Sequence, residues 1–257
     1  MTLLAITGLG MHFGGLLALE DFNLEVPARG LFGLIGPNGA GKTTIFNIIS
    51  GFIKATRGGI VFGGQDLTRL APHQITALGV ARTFQNIRLF GELSTLDNVL
   101  VGLHCRGRYS WGEAVLRLPR YWREERRHRL KALALLEEVG LLKSAPEPAG
   151  QLAYGHRRRL EVARALATSP KLLLLDEPAA GLNPQETGEL MNFLKDTKER
   201  YNLTLLVIEH NLRLVMGLCE HLVVLDHGLT IAAGPPEEMR DHPQVRKAYL
   251  GGGPGGR

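Results

Sequence analysis

The segment Gly36-Pro37-Asn38-Gly39-Ala40-Gly41-Lys42-Thr43 constrains this chain more than any other stretch, because it satisfies G-x-x-x-x-G-K-[ST] in full. An apolar run from Leu31 to Ile35 precedes it and a helical pattern from about Lys42 to Ser50 follows. The predicted order is therefore strand, phosphate loop, helix. Glycines at these stations let backbone N–H groups curl around phosphate oxygens, and the helix N-terminus adds the positive end of its dipole. Lys42 is expected to hold the β- and γ-phosphates of a nucleotide as a point charge, and the Thr43 hydroxyl to ligate Mg²⁺.

A second element completes a hydrolysis site. Leu172-Leu173-Leu174-Leu175-Asp176-Glu177-Pro178 reads as a buried strand that delivers two adjacent carboxylates at its C-terminal end, where α/β sheets place their ligands. Consecutive strand residues point to opposite sides, so the two acids take different jobs. Asp176 suits the Mg²⁺ shell, and Glu177 suits the base that orients water for attack on the γ-phosphate. Alone, such a run is also compatible with a turn or helix cap; beside a phosphate loop it reads as catalytic.

The rest of the chain bounds these readings. With 257 residues, the simplest expectation is one α/β domain with a sub-lobe, and 44% hydrophobic against 21% charged residues argues for a folded chain. Apolar runs such as Leu203 to Ile208 are far shorter than the ~20 residues of a membrane-spanning helix. The start, Met1 to Thr7, lacks a basic region and reads as a strand rather than a signal peptide, so a cytoplasmic protein is expected. Cys105 and Cys219 have neither disulfide nor zinc spacing and are expected to be packing residues. A net charge of +5 suits an anionic partner without choosing between nucleotide, lipid and nucleic acid.

Along the chain, strands are expected at Leu3 to Phe13, Phe22 to Val26, near Gly59 to Phe62 and at Val80 to Phe84, with a short helix after Pro72. From Asn98 to about Ala167 the composition turns to helix formers with many arginines, which reads as a helical insertion. Strands return at Lys171 to Leu175, Leu203 to Ile208 and His221 to Leu225, with helices after Asn183-Pro184, after His210 and from Pro235. Gly251 to Arg257 is a flexible glycine-rich tail by composition. Arg117 to Arg129 is expected to be mainly a solvated helix face, with contact to anionic headgroups or permease loops as the alternative.

Leu152-Ala153-Tyr154-Gly155-His156, with Arg157 to Leu166 after it, resembles the signature motif and helix of the ATP-binding cassette (ABC) ATPases. Taken singly, Phe13 reads equally as core, Gln85 as a surface amide and His210 as a helix cap. In the order found here, the resemblance implies Phe13 as the ring stacked on adenine, Gln85 as the Q-loop glutamine, and His210 as the switch histidine. It likewise implies Gly181, Leu182 and Asn183 as the D-loop. The implied ATP contacts are Phe13, Gly36, Pro37, Asn38, Gly39, Ala40, Gly41, Lys42, Thr43 and Thr44. Thr43, Gln85 and, through water, Asp176 are implied Mg²⁺ ligands; Glu177, His210 and Gln85 are implied catalytic groups. The fold implied is a P-loop ABC cassette over residues 1–250, with a mixed β-sheet core, an antiparallel β subdomain and a helical subdomain inserted at about 90–167.

The signature departs from Leu-Ser-Gly-Gly-Gln, since Ala153 lacks the hydroxyl and His156 replaces glutamine. Gly155 and the following helix N-terminus still offer backbone N–H groups, and Tyr154 offers another hydroxyl. This form, with Thr83-Phe84-Gln85, Arg88-Leu89-Phe90 and Ala248-Tyr249-Leu250-Gly251, resembles the ATPases of branched-chain amino-acid importers, the LivG type. Asn183 stands where most cassettes carry aspartate. The resemblance implies a cassette peripheral on the inner face of the membrane, whose residues Ala153 to His156 cap the ATP of a second cassette. Its partners are that second ATPase, identical or related, permease subunits and, indirectly, an extracytoplasmic binding protein. Exporters of the lipopolysaccharide-transport type and importers of urea or amides are the alternatives. DNA-maintenance ABC proteins need coiled coils, zinc modules or a second cassette that this sequence lacks, so no nucleic-acid partner is expected.

Overall fold

The computed structural model describes residues 1–105, 111–116 and 118–250; the tail expected at 251–257 and Arg117 lie outside the described residues. Strands β1 (Thr2–Phe13) and β2 (Leu16–Pro27) form a long hairpin, followed by β3 (Leu31–Ile35), helix α1 (Lys42–Ile49), β4 (Arg57–Phe62), β5 (Gln65–Asp66), α2 (Pro72–Leu78) and β6 (Val80–Arg82). Among the described residues, four α-helices come next: α3 (Thr95–His104), α4 (Trp111–Val115), α5 (Pro119–Glu138) and α6 (Tyr154–Ala167). The chain then runs through β7 (Leu172–Asp176), α7 (Pro184–Tyr201), β8 (Thr204–Ile208), α8 (Leu212–Leu218), β9 (His221–Asp226), β10 (Leu229–Gly234), α9 (Pro236–Arg240) and α10 (Pro243–Leu250).

Two sheets result. One is antiparallel, in the order β2-β1-β4-β5; the other runs β10-β9-β3-β8-β7-β6, parallel from β9 to β6 with β10 antiparallel at its edge. The parallel strands read as unbroken apolar runs because both of their faces are covered. In β7, Leu173 and Leu175 join one core cluster and Leu172 and Leu174 the other; β8 divides Leu205 and Val207 from Leu206 and Ile208 in the same way. The first cluster faces the helical segment and the second, which holds Ile45, Phe46 and Ile49 of α1, faces the antiparallel sheet.

The helical segment starts at α3, three residues before the Asn98 expected from composition. Ser94 Oγ caps α3 by accepting from Asp97 N at 3.0 Å. Asn98, fully buried, donates to the Phe90 and Ser94 carbonyls and accepts from Phe90 N, so its side chain replaces the missing backbone pairing of that loop. At Gly102 a Cβ would lie 2.5 Å from Arg164 O, so α3 and α6 pack closer than any larger side chain permits. On α5, His128, Ala132, Leu135 and Leu136 form the buried stripe while Arg123, Arg126, Arg127 and Arg129 are exposed, the solvated face expected.

Several expectations are corrected. The strand expected at Val80 to Phe84 ends at Arg82, because Phe84 and Gln85 have turned away to meet α6. β2 begins six residues earlier than expected, at Leu16, where the run Leu16 to Leu19 and the acidic pair Glu20-Asp21 do not alternate apolar with polar. β10, exposed or half-buried for most of its length, and α10, which packs Val245 and Tyr249 on the core, lie outside the expected elements. Cys219 is a buried packing residue, whereas Cys105 is exposed at the end of α3. No helix among the described residues is long and apolar enough to cross a membrane.

Candidate functional site

Every candidate acid, base and phosphate-loop residue follows the carboxyl end of a parallel strand. Gly36 follows β3, Gln85 follows β6, Asp176 ends β7, and His210 follows β8, so the central strands converge on one crevice. The loop after β3 needs its glycines: Gly36 has φ 146°, and a Cβ there would sit 2.1 Å from Leu225 O of the adjoining strand. Gly41 has φ 101°, and its Cβ would meet Ala18 O at 2.8 Å, so the β1–β2 hairpin lies directly against the loop. That contact sets Phe13, 48% exposed, at the same cleft of about 540 Å³ as Asn38 to Thr44, Gln85 and Glu177.

The helix N-terminus that opens into this cleft has no side-chain cap and no acidic residue in its first turn. Its first N–H groups lack intrahelical partners and suit an anion. Lys42 is buried, and its Nζ donates to the carbonyls of Gly36 and Pro37, 2.8 Å each, so the ammonium folds back over the loop. Burial lowers the Lys42 pKa, and the carboxylates of Glu177 and Asp176 oppose that shift.

The two acids differ as the strand geometry requires. Asp176 is buried and paired with Arg82 at 2.8 Å. Glu177 has left the strand with φ 46°, a left-handed conformation that non-glycine residues adopt at a cost of order 1 kcal/mol or more and that is common at functional sites. This turn aims its carboxylate at the cleft, where it accepts from Gln85 Nε2 at 2.7 Å and lies 3.7 Å from His210 Nδ1. Glu177, Gln85 and His210, three residues from separate strands, thus meet. Behind them, the buried Glu209 carboxylate accepts from the N–H groups of Ala179, His210 and Asn211, so one side chain pins the turns after β7 and β8. Burial raises its pKa against those three donors.

A metal would find hard oxygen donors. Thr43, Gln85 and Asp176 line a single cleft with Asn47 and Arg82, and hydroxyl, amide and carboxylate oxygens are the ligand types Mg²⁺ takes. The donor set fits.

Ala153, Gly155 and His156 are not brought to this cleft; they line a separate groove with Leu182, against α7. Ala153 is the N-cap residue of α6 and makes no side-chain capping bond. Tyr154 does not present a free hydroxyl: it donates to Ala180 O at 2.9 Å and accepts from Arg158 Nη2 at 3.2 Å, committing it within the chain. Its ring covers Gly181, 3.4 Å from where a Cβ would stand. Asn183 caps α7, exchanging side-chain and backbone bonds of 2.9 Å with Glu186. Sequence reasoning missed Arg82, Arg158 and Glu161, which read as ordinary charged residues until their burial is known. Arg158 Nη1 donates to Glu161 Oε2 at 3.0 Å and to the Phe84 carbonyl, and Nη2 donates to the Gln85 carbonyl, so α6 holds the backbone of the glutamine loop.

A cassette with this arrangement has known relatives. The ABC transporter family model matches residues 19–180, and a model described as the branched-chain amino acid ATP-binding cassette transporter matches residues 230–254. The chain belongs to the ABC transporter ATPases. The branched-chain amino acid transport ATP-binding proteins BraF of Pseudomonas aeruginosa and LivG of Salmonella typhimurium are each 46% identical to this cassette over 249 residues, 97% of this chain and 98% of each relative. The ADP conformation of MJ1267, an ATP-binding cassette of an ABC transporter, superposes with a TM-score of 0.85 at 32% identity, covering 98% of this chain and 99% of that one. The ABC cassette therefore binds nucleotide and hydrolyses ATP to energise transport, as a subunit that works with membrane permease partners.

Proposed function

We propose that this cassette powers import of branched-chain amino acids from the inner face of a membrane, with residues 1–250 acting as a single ATPase domain that carries its helical segment, about 90–167, as an insertion. The identity to BraF and LivG over almost the whole of each chain, together with the terminal match at residues 230–254, supports this substrate class over lipopolysaccharide export or urea import.

The residues divide the work. Phe13 stacks on adenine, while the N–H groups of the loop from Gly36 to Thr44 hold the phosphates and Lys42 unfolds from the Gly36 and Pro37 carbonyls to meet them. Glu177 accepts the proton of the attacking water, and the contacts from Gln85 and His210 keep its carboxylate in place. Thr43, Gln85 and, through water, Asp176 would hold Mg²⁺, which would neutralise charge on the phosphates. Ala153 to His156 and the Gly181-Leu182-Asn183 turn, joined through Tyr154, form an edge that faces the ATP of a second cassette, identical or related. The N–H groups at the start of α6 stand in for the absent serine hydroxyl. Gln85 and the helical segment are the face toward the permease, which receives its cargo from an extracytoplasmic binding protein.

The test is ATP turnover in vesicles containing this cassette with the permease, second ATPase and binding protein encoded beside it. Leucine-loaded binding protein is expected to stimulate phosphate release, urea to leave it at the level without ligand. Equal turnover under all three conditions overturns the importer reading.

A further inference from the structure

Arg82 is the last residue of β6, and the parallel register pairs it with Leu174, two residues before Asp176 on the neighbouring strand. The two side chains therefore emerge on the same face and meet, Nη2 to Oδ2 at 2.8 Å, with 5% and 4% of their surfaces exposed. The other arm of the fork reaches α1 and its C-terminal cap: Nη1 donates to Asn47 Oδ1 at 2.8 Å and to Ser50 Oγ at 3.0 Å. The rings of Phe84, Phe46 and Phe52 pack around it, 5.0, 5.5 and 5.9 Å from its Cζ.

A buried ion pair is no stronger than well-packed apolar residues in the same space, because two charges lose their hydration. Stability alone gives no reason for a guanidinium here. Its partner, however, is the carboxylate read above as a metal ligand, and the cleft that Arg82 and Asp176 line also holds Thr43 and Gln85. The planar fork, which lysine does not reproduce, binds Asp176, Asn47 and Ser50 at once and so fixes the carboxylate relative to the helix that carries Thr43.

We propose that Arg82 is a positioning residue for the metal site: it grips Asp176 by one oxygen, braces it on α1, and leaves the other oxygen for the metal shell. The same residue leads directly into Thr83-Phe84-Gln85, so the glutamine loop and the carboxylate are set by one side chain. The inference rests on Asp176 belonging to the Mg²⁺ shell. Two effects oppose each other, since a nearby cation also repels Mg²⁺. If repulsion dominates, removing the guanidinium lowers the Mg²⁺ requirement; if positioning dominates, removal raises it.

The experiment measures binding of a fluorescent ATP analogue to the full chain as Mg²⁺ is titrated, for the parent, Arg82→Met, Arg82→Lys, Asn47→Ala and Asp176→Asn. For Arg82→Met the Mg²⁺ concentration at half effect is expected to rise about tenfold, the worth of one charge-assisted hydrogen bond. Binding without Mg²⁺ stays at the parental level. Arg82→Lys lies between, since an ammonium reaches Asp176 without spanning to α1, and Asn47→Ala shows a smaller rise in the same direction. If Arg82→Met fails to fold, these two carry the test. An unchanged or lowered Mg²⁺ requirement in the Arg82 and Asn47 variants, with Asp176→Asn raising it, overturns the positioning role. An unchanged requirement in Asp176→Asn overturns the reading of Asp176 itself.

Discussion

Two buried arginines hold the segment between β6 and α3, and they hold it differently. Arg82 binds side chains of the phosphate half, Asp176, Asn47 of α1 and Ser50 at its C-terminal cap. Arg158 binds the backbone carbonyls of Phe84 and Gln85 and pairs with Glu161, whose other oxygen accepts from the N–H groups of Phe84 and Arg88. One grip joins the loop to the chemistry and the other joins it to the helix that carries the signature residues. The difference teaches that Gln85 is steered from both halves of the molecule, through side-chain charge on one side and through main-chain position on the other.

The largest effect expected in the second half is on stability. Arg158→Met leaves the Glu161 carboxylate buried without its countercharge and frees two carbonyls, so denaturant unfolding is expected to show a loss of about 3–5 kcal/mol. A loss under about 1 kcal/mol removes the contrast with Arg82. In the first half, Lys42→Ala removes a charge-assisted contact to phosphate and is expected to weaken Mg·ATP binding by tenfold or more, about 1.5–3 kcal/mol, with unfolding little changed. Undiminished binding, read by equilibrium fluorescence, counts against the phosphate role. Asn183→Ala removes the cap of α7 and is expected to lower stability by about 1 kcal/mol in thermal unfolding. Of similar size is Tyr154→Phe, which deletes the bond to Ala180 O and the acceptor for Arg158, worth about 0.5–1.5 kcal/mol. A Tyr154→Phe variant as unstable as Arg158→Met would show that the hydroxyl, rather than the ion pair, holds that half.

Much of this was legible in the residues because local patterns carried it. Strand, glycine loop and helix at 31 to 50 each follow from short-range rules, and the run of leucines before Asp176 announces a strand covered on both faces. The convergence of Gln85, Glu177 and His210 followed from the family order, and it arises physically because all three leave parallel strands at the same end. What stayed hidden depends on burial. Nothing local marks Arg82 as different from Arg88, yet one is enclosed by three rings and an acid and the other is exposed. Tyr154 illustrates the reverse: its hydroxyl was available on paper and is engaged by Ala180 once the chain folds. The left-handed backbone at Glu177, which frees this carboxylate from the strand, has no signature in a side chain that ordinarily avoids it.

The most direct test of the account is single-turnover phosphate release by the Glu177→Gln variant, with nucleotide binding followed in the same samples. The account predicts that Mg·ATP binds with parental affinity while release falls by about 10²–10⁴-fold, the usual contribution of a general base. Release near the parental rate, with binding intact, would contradict the assignment of Glu177 as the residue that activates water.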